Sequence, residues 1–167
     1  MLENLFYVRI VLGKGGRPFS IYKFRTMVPG ADSRWAEVVS SNGRDGTGKL
    51  VNDPRITPLG RVLRKYWIDE LPQLVNLIKG DLKLIGIRAA KQEELEYLLG
   101  DEWTRVLDYQ PGLVGVGYAF DRQDGLDSKI EQEREYLDQY NVDPRRTDAL
   151  YFLKFVRNVV FRGVRSR

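Results

Sequence analysis

The chain has no cysteine and no histidine among its 167 residues. Without cysteine there are no disulfides and no thiolate metal sites. Without histidine the usual general base, the usual transition-metal ligand and every serine–histidine triad are gone. Acid–base chemistry must then come from carboxylates, lysine or tyrosine. Any metal is expected to be a hard cation such as magnesium, held by oxygen ligands. Also absent is an apolar run approaching the roughly 18 to 20 residues that a spanning helix needs, and no signal peptide is visible. The expectation is a chain that neither crosses a membrane nor is secreted.

What is present fits a folded domain. The apolar share of 43% lies slightly below the globular average and the charged share of 30% slightly above it. The net charge of +4 and a pI near 9.3 suit phosphate-bearing ligands, nucleic acid or an anionic membrane surface, without choosing among them. Nucleic acid is set aside, because acidic helices are interleaved with the basic segments.

The segment LFYVRIVLGKGGRPFSIYKFRTM reads as two strands joined by a GKGG turn. A short helix follows at VPGADSRWAEVV, then a polar, glycine-rich loop. In TPLGRVLRKYW, Thr57 can cap and Pro58 suits the first turn. Leu59, Val62, Leu63 and Tyr66 form an apolar stripe, and Arg61, Arg64 and Lys65 share another face. DELPQLVNLIKG is expected to be a helix ending at Gly80, and LKLIG a short buried strand. KQEELEYLLGDEWTRVLDY reads as one long amphipathic helix, PGLVGVGYAF as a glycine-punctuated strand or loop, and DSKIEQEREYLDQYN as a charged surface helix. The last helix, from TDALYFLKF onward, is aromatic on one side and basic on the other. It can pack on the core through Phe152, Phe155 and Val159. It can instead meet an anionic membrane with Arg157, Arg162, Arg165 and Arg167.

GRDGTGK, Gly43 to Lys49, matches seven positions of a phosphate-cradling loop. The eighth residue is Leu50 where Ser or Thr is needed, and neither a strand before it nor a helix after it is legible. A flexible glycine loop is the better reading.

In WIDELPQL, Asp69 and Glu70 stand side by side among apolar residues. Asp69 can simply cap a helix, with Pro72 in the first turn. A carboxylate at a helix start can also hold magnesium or act as a nucleophile, because the dipole keeps it ionised. Lys23 and Arg25 on the KFRTM strand, Arg64 on the preceding helix and Arg88 after LKLIG could converge on the pair. Transfer of a phosphate-linked group needs such a set: a carboxylate nucleophile, a divalent metal and cations on phosphate oxygens.

IYKFRTM, NDPRITPLGRVLRKYWIDELPQLVNLIKGDLKLIG and the Arg88 beyond resemble the bacterial sugar transferase family, the monotopic phosphoglycosyl transferases. The resemblance runs from about Val11 to the C-terminus and is strongest from Asn52 to Arg88. It implies an α/β fold over residues 1–167, a single catalytic-type domain with a small sheet surrounded by several helices. It also implies attack by Asp69 on the β-phosphate of a UDP-sugar, release of UMP, and capture of the sugar phosphate by a polyprenyl phosphate. Glu70 would assist with metal or proton handling, and magnesium, held by Asp69 and Glu70, would be the cofactor. Lys23, Arg64 and Arg88 would hold phosphates, with Arg25, Arg61 and Tyr118 as further candidate substrate contacts. The expected location is cytoplasmic, at the cytoplasmic face of the inner membrane, and homodimerisation is left open.

Three departures accompany the resemblance. The chain starts at about the first strand, whereas the family carries an N-terminal membrane segment. The family's GPRP block is Gly86-Ile87-Arg88-Ala89 here, with both prolines lost. The later block, close to RPGITGWAQVNGR in the family, is Tyr109-Gln110-Pro111-Gly112-Leu113-Val114-Gly115-Val116-Gly117-Tyr118-Ala119-Phe120 here. These differences leave a second reading: a non-catalytic relative that binds a regulatory nucleotide, such as cyclic di-GMP, and regulates exopolysaccharide synthesis. Arg61, Arg64, Arg88, Tyr66 and Tyr118 would be its contacts, since arginines beside aromatic rings suit guanine stacking and phosphate.

Overall fold

The computed structural model describes residues 5–43, 50, 52–120 and 125–161. Most of GRDGTGK and the arginines at 162, 165 and 167 lie outside them. Strands β1 (Phe6–Leu12) and β2 (Pro18–Phe24) pair antiparallel, from Phe6 opposite Phe24 to Leu12 opposite Pro18. One 3-10 turn at Lys14–Gly16 connects them, so the GKGG reading holds. Alternation sets the faces: Val11 and Ile21 are buried, while Val8 and Ile10 point outward.

Helix α1 (Trp35–Asn42) follows a string of turns, and α2 (Pro58–Lys65) starts where expected. Thr57 caps α2 by accepting a hydrogen bond from the Gly60 N–H at 2.9 Å. Gly60 presses against Thr26, where a Cβ would fall 2.1 Å from the Thr26 carbonyl oxygen. Thr57 N–H donates to that same oxygen at 2.9 Å. The end of the KFRTM segment is thereby clamped to the start of α2. The apolar stripe lies largely in the open: Leu59 is 67% exposed, and Val62 and Tyr66 are exposed as well. An eight-residue helix held at its N-terminus by Gly60 needs little apolar burial along its length.

The acid pair does not open an α-helix. Ile68–Gln73 is a 3-10 segment, and α3 (Leu74–Lys79) begins only after it, ending at left-handed Gly80. Buried Asn76 on α3 donates to the Ser20 carbonyl (2.8 Å) and to Asp81 (3.0 Å), fastening α3 beneath β2.

Strand β3 (Lys83–Gly86) pairs in parallel with β4 (Gly112–Gly115), Lys83 opposite Gly112 and Gly86 opposite Gly115. The expected single small sheet is therefore two two-stranded sheets. Between β3 and β4 the expected long helix breaks at Gly100 (φ 55°) into α4 (Gln92–Leu99) and a 3-10 segment, Gly100–Asp108. A short 3-10 turn, Val116–Ala119, follows β4, and α5 (Gly125–Val142) and α6 (Pro144–Phe161) complete the fold.

The main core joins Ile85, Ile87, Val116, Ala119, Tyr136, Leu137 and Tyr151. Helix α5 contributes two of these and buries Gln132 and Glu133 besides, so it is not the surface helix its charges suggested. On α6, fully buried Asn158 donates to the carbonyls of Tyr118 and Phe120 and fixes the wall after β4. No helix of the described residues is long and apolar enough to cross a membrane.

Candidate active site

The site is built on an unusual turn. Trp67 sits in the left-handed region (φ 57°), which bulky residues rarely occupy. Its ring is held edge-on by Tyr118 at 5.6 Å and Phe155 at 6.1 Å. Its backbone accepts from Glu70 N–H (3.1 Å) and donates to the Arg64 carbonyl (3.0 Å). Packing from α6 and the post-β4 turn thus enforces a conformation that local preference disfavours. The 3-10 segment leaves this turn with Asp69 and Glu70 turned inward.

The two acids meet different surroundings. Glu70 accepts from Lys23 Nζ at 3.0 Å and from the Arg88 guanidinium. Although burial alone would raise it, Arg88 first and Lys23 second hold its carboxyl down at about 2. Asp69 is buried, and among the described residues no basic side chain reaches ion-pair distance of it. Burial, seconded by the charge of Glu70, pushes its carboxyl above the usual range; Lys23 and Arg64 only partly oppose this. The dipole of an α-helix start does not set its state, because Asp69 lies in the 3-10 segment and α3 begins only at Leu74. Lys23 is itself lowered, by burial and then by the like charge of Arg88.

Arg88 reaches Glu70 without the family's prolines. Ile87 C=O accepts from Gly112 N–H at 2.8 Å, which fixes the chain at that point. The Arg88 stem then lies over Gly115, where a Cβ would come within 2.8 Å of its Cγ. The surviving glycine of the later block thus leaves room for the surviving arginine of the earlier one.

Lys23, Arg88, Gln73, Gly115 and Tyr118 line a cleft of about 430 Å³ that also reaches α4 and α5. Lys23, Glu70, Arg88 and Tyr118 are therefore gathered at or beside this cleft. Arg64 lies close by: its Nε donates to Thr26 Oγ1 at 2.9 Å, and its charge acts on Asp69. Arg25 and Arg61 are not brought in. Arg25 turns to the Phe6 carbonyl at 3.2 Å, and Arg61 is exposed on α2. Tyr66, under Lys65, is also exposed, so the five contacts of the nucleotide-binding reading do not form one group.

Gln73 and Glu133 line the cleft unforeseen. Gln73 lies four residues past Asp69, and that spacing was a usable signal. Glu133 sits in a charged run that carried none.

Among the described residues no group of three or more acidic side chains gathers to hold a metal. Asp69 and Glu70 are adjacent in the chain, and Glu70 Oε1 is already shared by two cations. This donor set fits a magnesium ion that completes its shell with substrate phosphate and water. It does not fit one caged by protein alone.

Lys23 and Arg88 thus line the cleft and hold Glu70 between them, with buried Asp69 next to it in the chain. The bacterial sugar transferase family model matches residues 2–162, and the chain belongs to that family. It is 38% identical over 145 residues to the exopolysaccharide production protein ExoY of Sinorhizobium fredii, covering 83% of this chain and 64% of that protein. It is 34% identical over 134 residues to the galactosyl transferase CpsE of Streptococcus agalactiae, covering 78% and 30%. It is also 34% identical over 137 residues to the undecaprenyl-phosphate galactose phosphotransferase of Salmonella typhimurium, covering 78% and 29%. The chain thus matches less than two thirds of each relative's length.

Proposed function

We propose that this chain is the catalytic part of a phosphoglycosyl transferase that moves a sugar-1-phosphate from a UDP-sugar to a polyprenyl phosphate. One observation carries the reading: Asp69 is buried without a cationic partner, while Glu70 beside it is neutralised by two cations that line the cleft. The unpartnered acid is free to attack, and the cations suit phosphate oxygens.

The first step joins an Asp69 carboxylate oxygen to the β-phosphorus of the UDP-sugar. The bond from that phosphorus to the bridging oxygen breaks, and UMP leaves with the electron pair. In the second step a phosphate oxygen of the polyprenyl phosphate attacks the same phosphorus. The phosphorus–Asp69 bond breaks, the carboxylate returns, and the sugar is left on a polyprenyl diphosphate. Lys23 and Arg88 take up charge on the phosphoryl oxygens in both transition states. As the dianionic donor enters, they shift part of their hydrogen bonding from Glu70 to phosphate. That approach of cations and phosphate, together with deprotonation, readies Asp69 as a nucleophile. Magnesium, held through Asp69 or Glu70 and the donor's diphosphate, would neutralise charge on the leaving UMP.

Membrane contact belongs to the same reading, since the acceptor is a lipid. Leu71, Leu74 and Ile78 around α3, and Leu153, Val160 and Phe161 on α6, are exposed apolar side chains suited to a bilayer surface.

The experiment is UMP release from a panel of UDP-sugars with magnesium, with and without detergent-solubilised polyprenyl phosphate. Acceptor-dependent turnover that disappears in Asp69→Asn, with the fold intact, is the expected result. Full activity in Asp69→Asn would overturn the mechanism, and no release with any donor would overturn the function.

A further inference from the structure

Three acidic residues are buried among the described residues: Asp53, Asp69 and Glu133. Asp53 is bound by Arg55, and Asp69 belongs to the site above. Glu133 has neither excuse for its burial. It is 9% exposed, lines the cleft from α5, and forms no hydrogen bond or ion pair with any described residue. Lys129, one turn earlier on the same face, acts on it electrostatically, and it too lines the cleft. Glu133 reaches the cleft from α5, whereas Lys23 and Arg88 reach it from β2 and from the chain after β3. The surroundings there are mixed. Leu82, Leu95 and Leu99 are apolar, and Arg9 on β1 pairs with Glu94 on α4.

A buried carboxylate left without donors is costly to the fold. It is retained at no such cost if a ligand supplies the donors. A carbohydrate ring does this well, with hydroxyl groups for the carboxylate and apolar C–H faces for leucines.

We propose that Glu133, with Lys129 beside it, hydrogen-bonds hydroxyl groups of the donor's sugar ring along the α5 wall of the cleft. This rests on the transferase reading and names the part of the cleft that reads the sugar. The hydroxyls donate to the carboxylate, and Lys129 donates to a ring or hydroxyl oxygen. Glu133 is thus a specificity-determining contact, and phosphate is held separately by Lys23 and Arg88.

Calorimetric titration of the chain with UMP, UDP and several UDP-sugars tests this, for wild type, Glu133→Gln and Glu133→Ala. Glu133→Ala is expected to weaken UDP-sugar binding about tenfold or more, while UDP binding stays within about twofold. Both variants are expected to melt at or above the wild-type temperature, because an unpaired buried acid has been removed. A loss shared equally by UMP would move the hydroxyl contact from the sugar to the ribose and overturn the sugar assignment. Unchanged UDP-sugar affinity in Glu133→Ala, or a melting temperature well below wild type, would overturn the proposal while leaving the transferase reading in place. Failure of the wild type to bind any uridine nucleotide would overturn the transferase reading itself, and the proposal with it.

Discussion

Two buried ionic groups in this chain use the same residue types to opposite ends. Asp53 and Arg55 lie two residues apart in NDPR, and both are almost wholly enclosed. Arg55 Nε and Nη2 meet the two Asp53 oxygens at 2.8 and 2.6 Å, and Nη1 donates to the Ala31 carbonyl at 3.0 Å. Trp35 covers the guanidinium at 5.1 Å. Nothing is left over for a ligand, and the group ties the 28–35 turns to the approach of α2. Around Asp69 the charges come instead from β2, the 3-10 segment and the chain after β3. One carboxylate is held by two cations, the other has no ion-pair partner among the described residues, and the two cations line a cleft. A closed, local group stabilises. An open group drawn from distant segments accepts the strain and unpaired charge that chemistry needs.

The sharpest way to separate the two is to remove one acid from each. Asp69→Asn is expected to cut turnover by at least about 10³-fold. It should leave the protein as stable at neutral pH or more so. Asp69 is raised in the fold, so its contribution is most favourable below its ordinary carboxylate range and is lost as pH rises through the raised value. Thermal melts between pH 4 and 8 check the sign: the variant's advantage should grow with pH. Asp53→Ala should do the reverse. Arg55 would be left charged and buried, at a cost of about 3–5 kcal/mol, read as a lower denaturant midpoint. A stable Asp53→Ala protein would dissolve the contrast.

A smaller effect is expected from Lys23→Met, which takes one cation from Glu70 and from the phosphates. Turnover should fall about 10²-fold. The pH dependence should move as well. Glu70 is depressed in the fold, so its stabilisation is present above its ordinary value and is lost as pH falls towards about 2. With Lys23 gone the carboxyl is held down less, so that loss should be smaller and complete at a higher pH, visible in acid melts. The smallest effect belongs to Arg61→Ala. An exposed arginine one turn before Arg64 should change turnover and stability by less than about twofold. A large loss there would bring the surface of α2 into the site.

Much of the site was legible because its residues stand in short, distinctive strings. KFRTM, WIDELPQL and the arginine after LKLIG pointed to Lys23, Glu70 and Arg88 before any fold was known, and their contacts follow that pattern. Arg25 and Arg61 show the limit of neighbourhood in sequence. Each is adjacent to, or a turn from, a residue at the site, yet the strand and the helix aim them elsewhere. Two helices were misjudged for a related reason. Periodicity across Gly100 suggested one long helix, but a glycine with positive φ interrupts it. The charges of α5 suggested a surface helix, but it buries Tyr136, Leu137, Gln132 and Glu133.

By itself the sequence determined the chemistry available: no thiol, no imidazole, an acid pair set among apolar residues in WIDELPQL and a set of lysines and arginines to serve it. It also determined the local elements whose signals are short-range, such as the Thr57 cap, the hairpin and the Gly80 stop. Only the tertiary structure decided which acid is paired and which is bare. That depends on Trp67 being forced left-handed by rings from α6 and the post-β4 turn, and on Lys23 and Arg88 arriving from segments far apart in the chain. It also decided that Glu133 lies in the cleft wall. Burial and desolvation are properties of the packed chain, and a carboxylate's role follows from what packs around it.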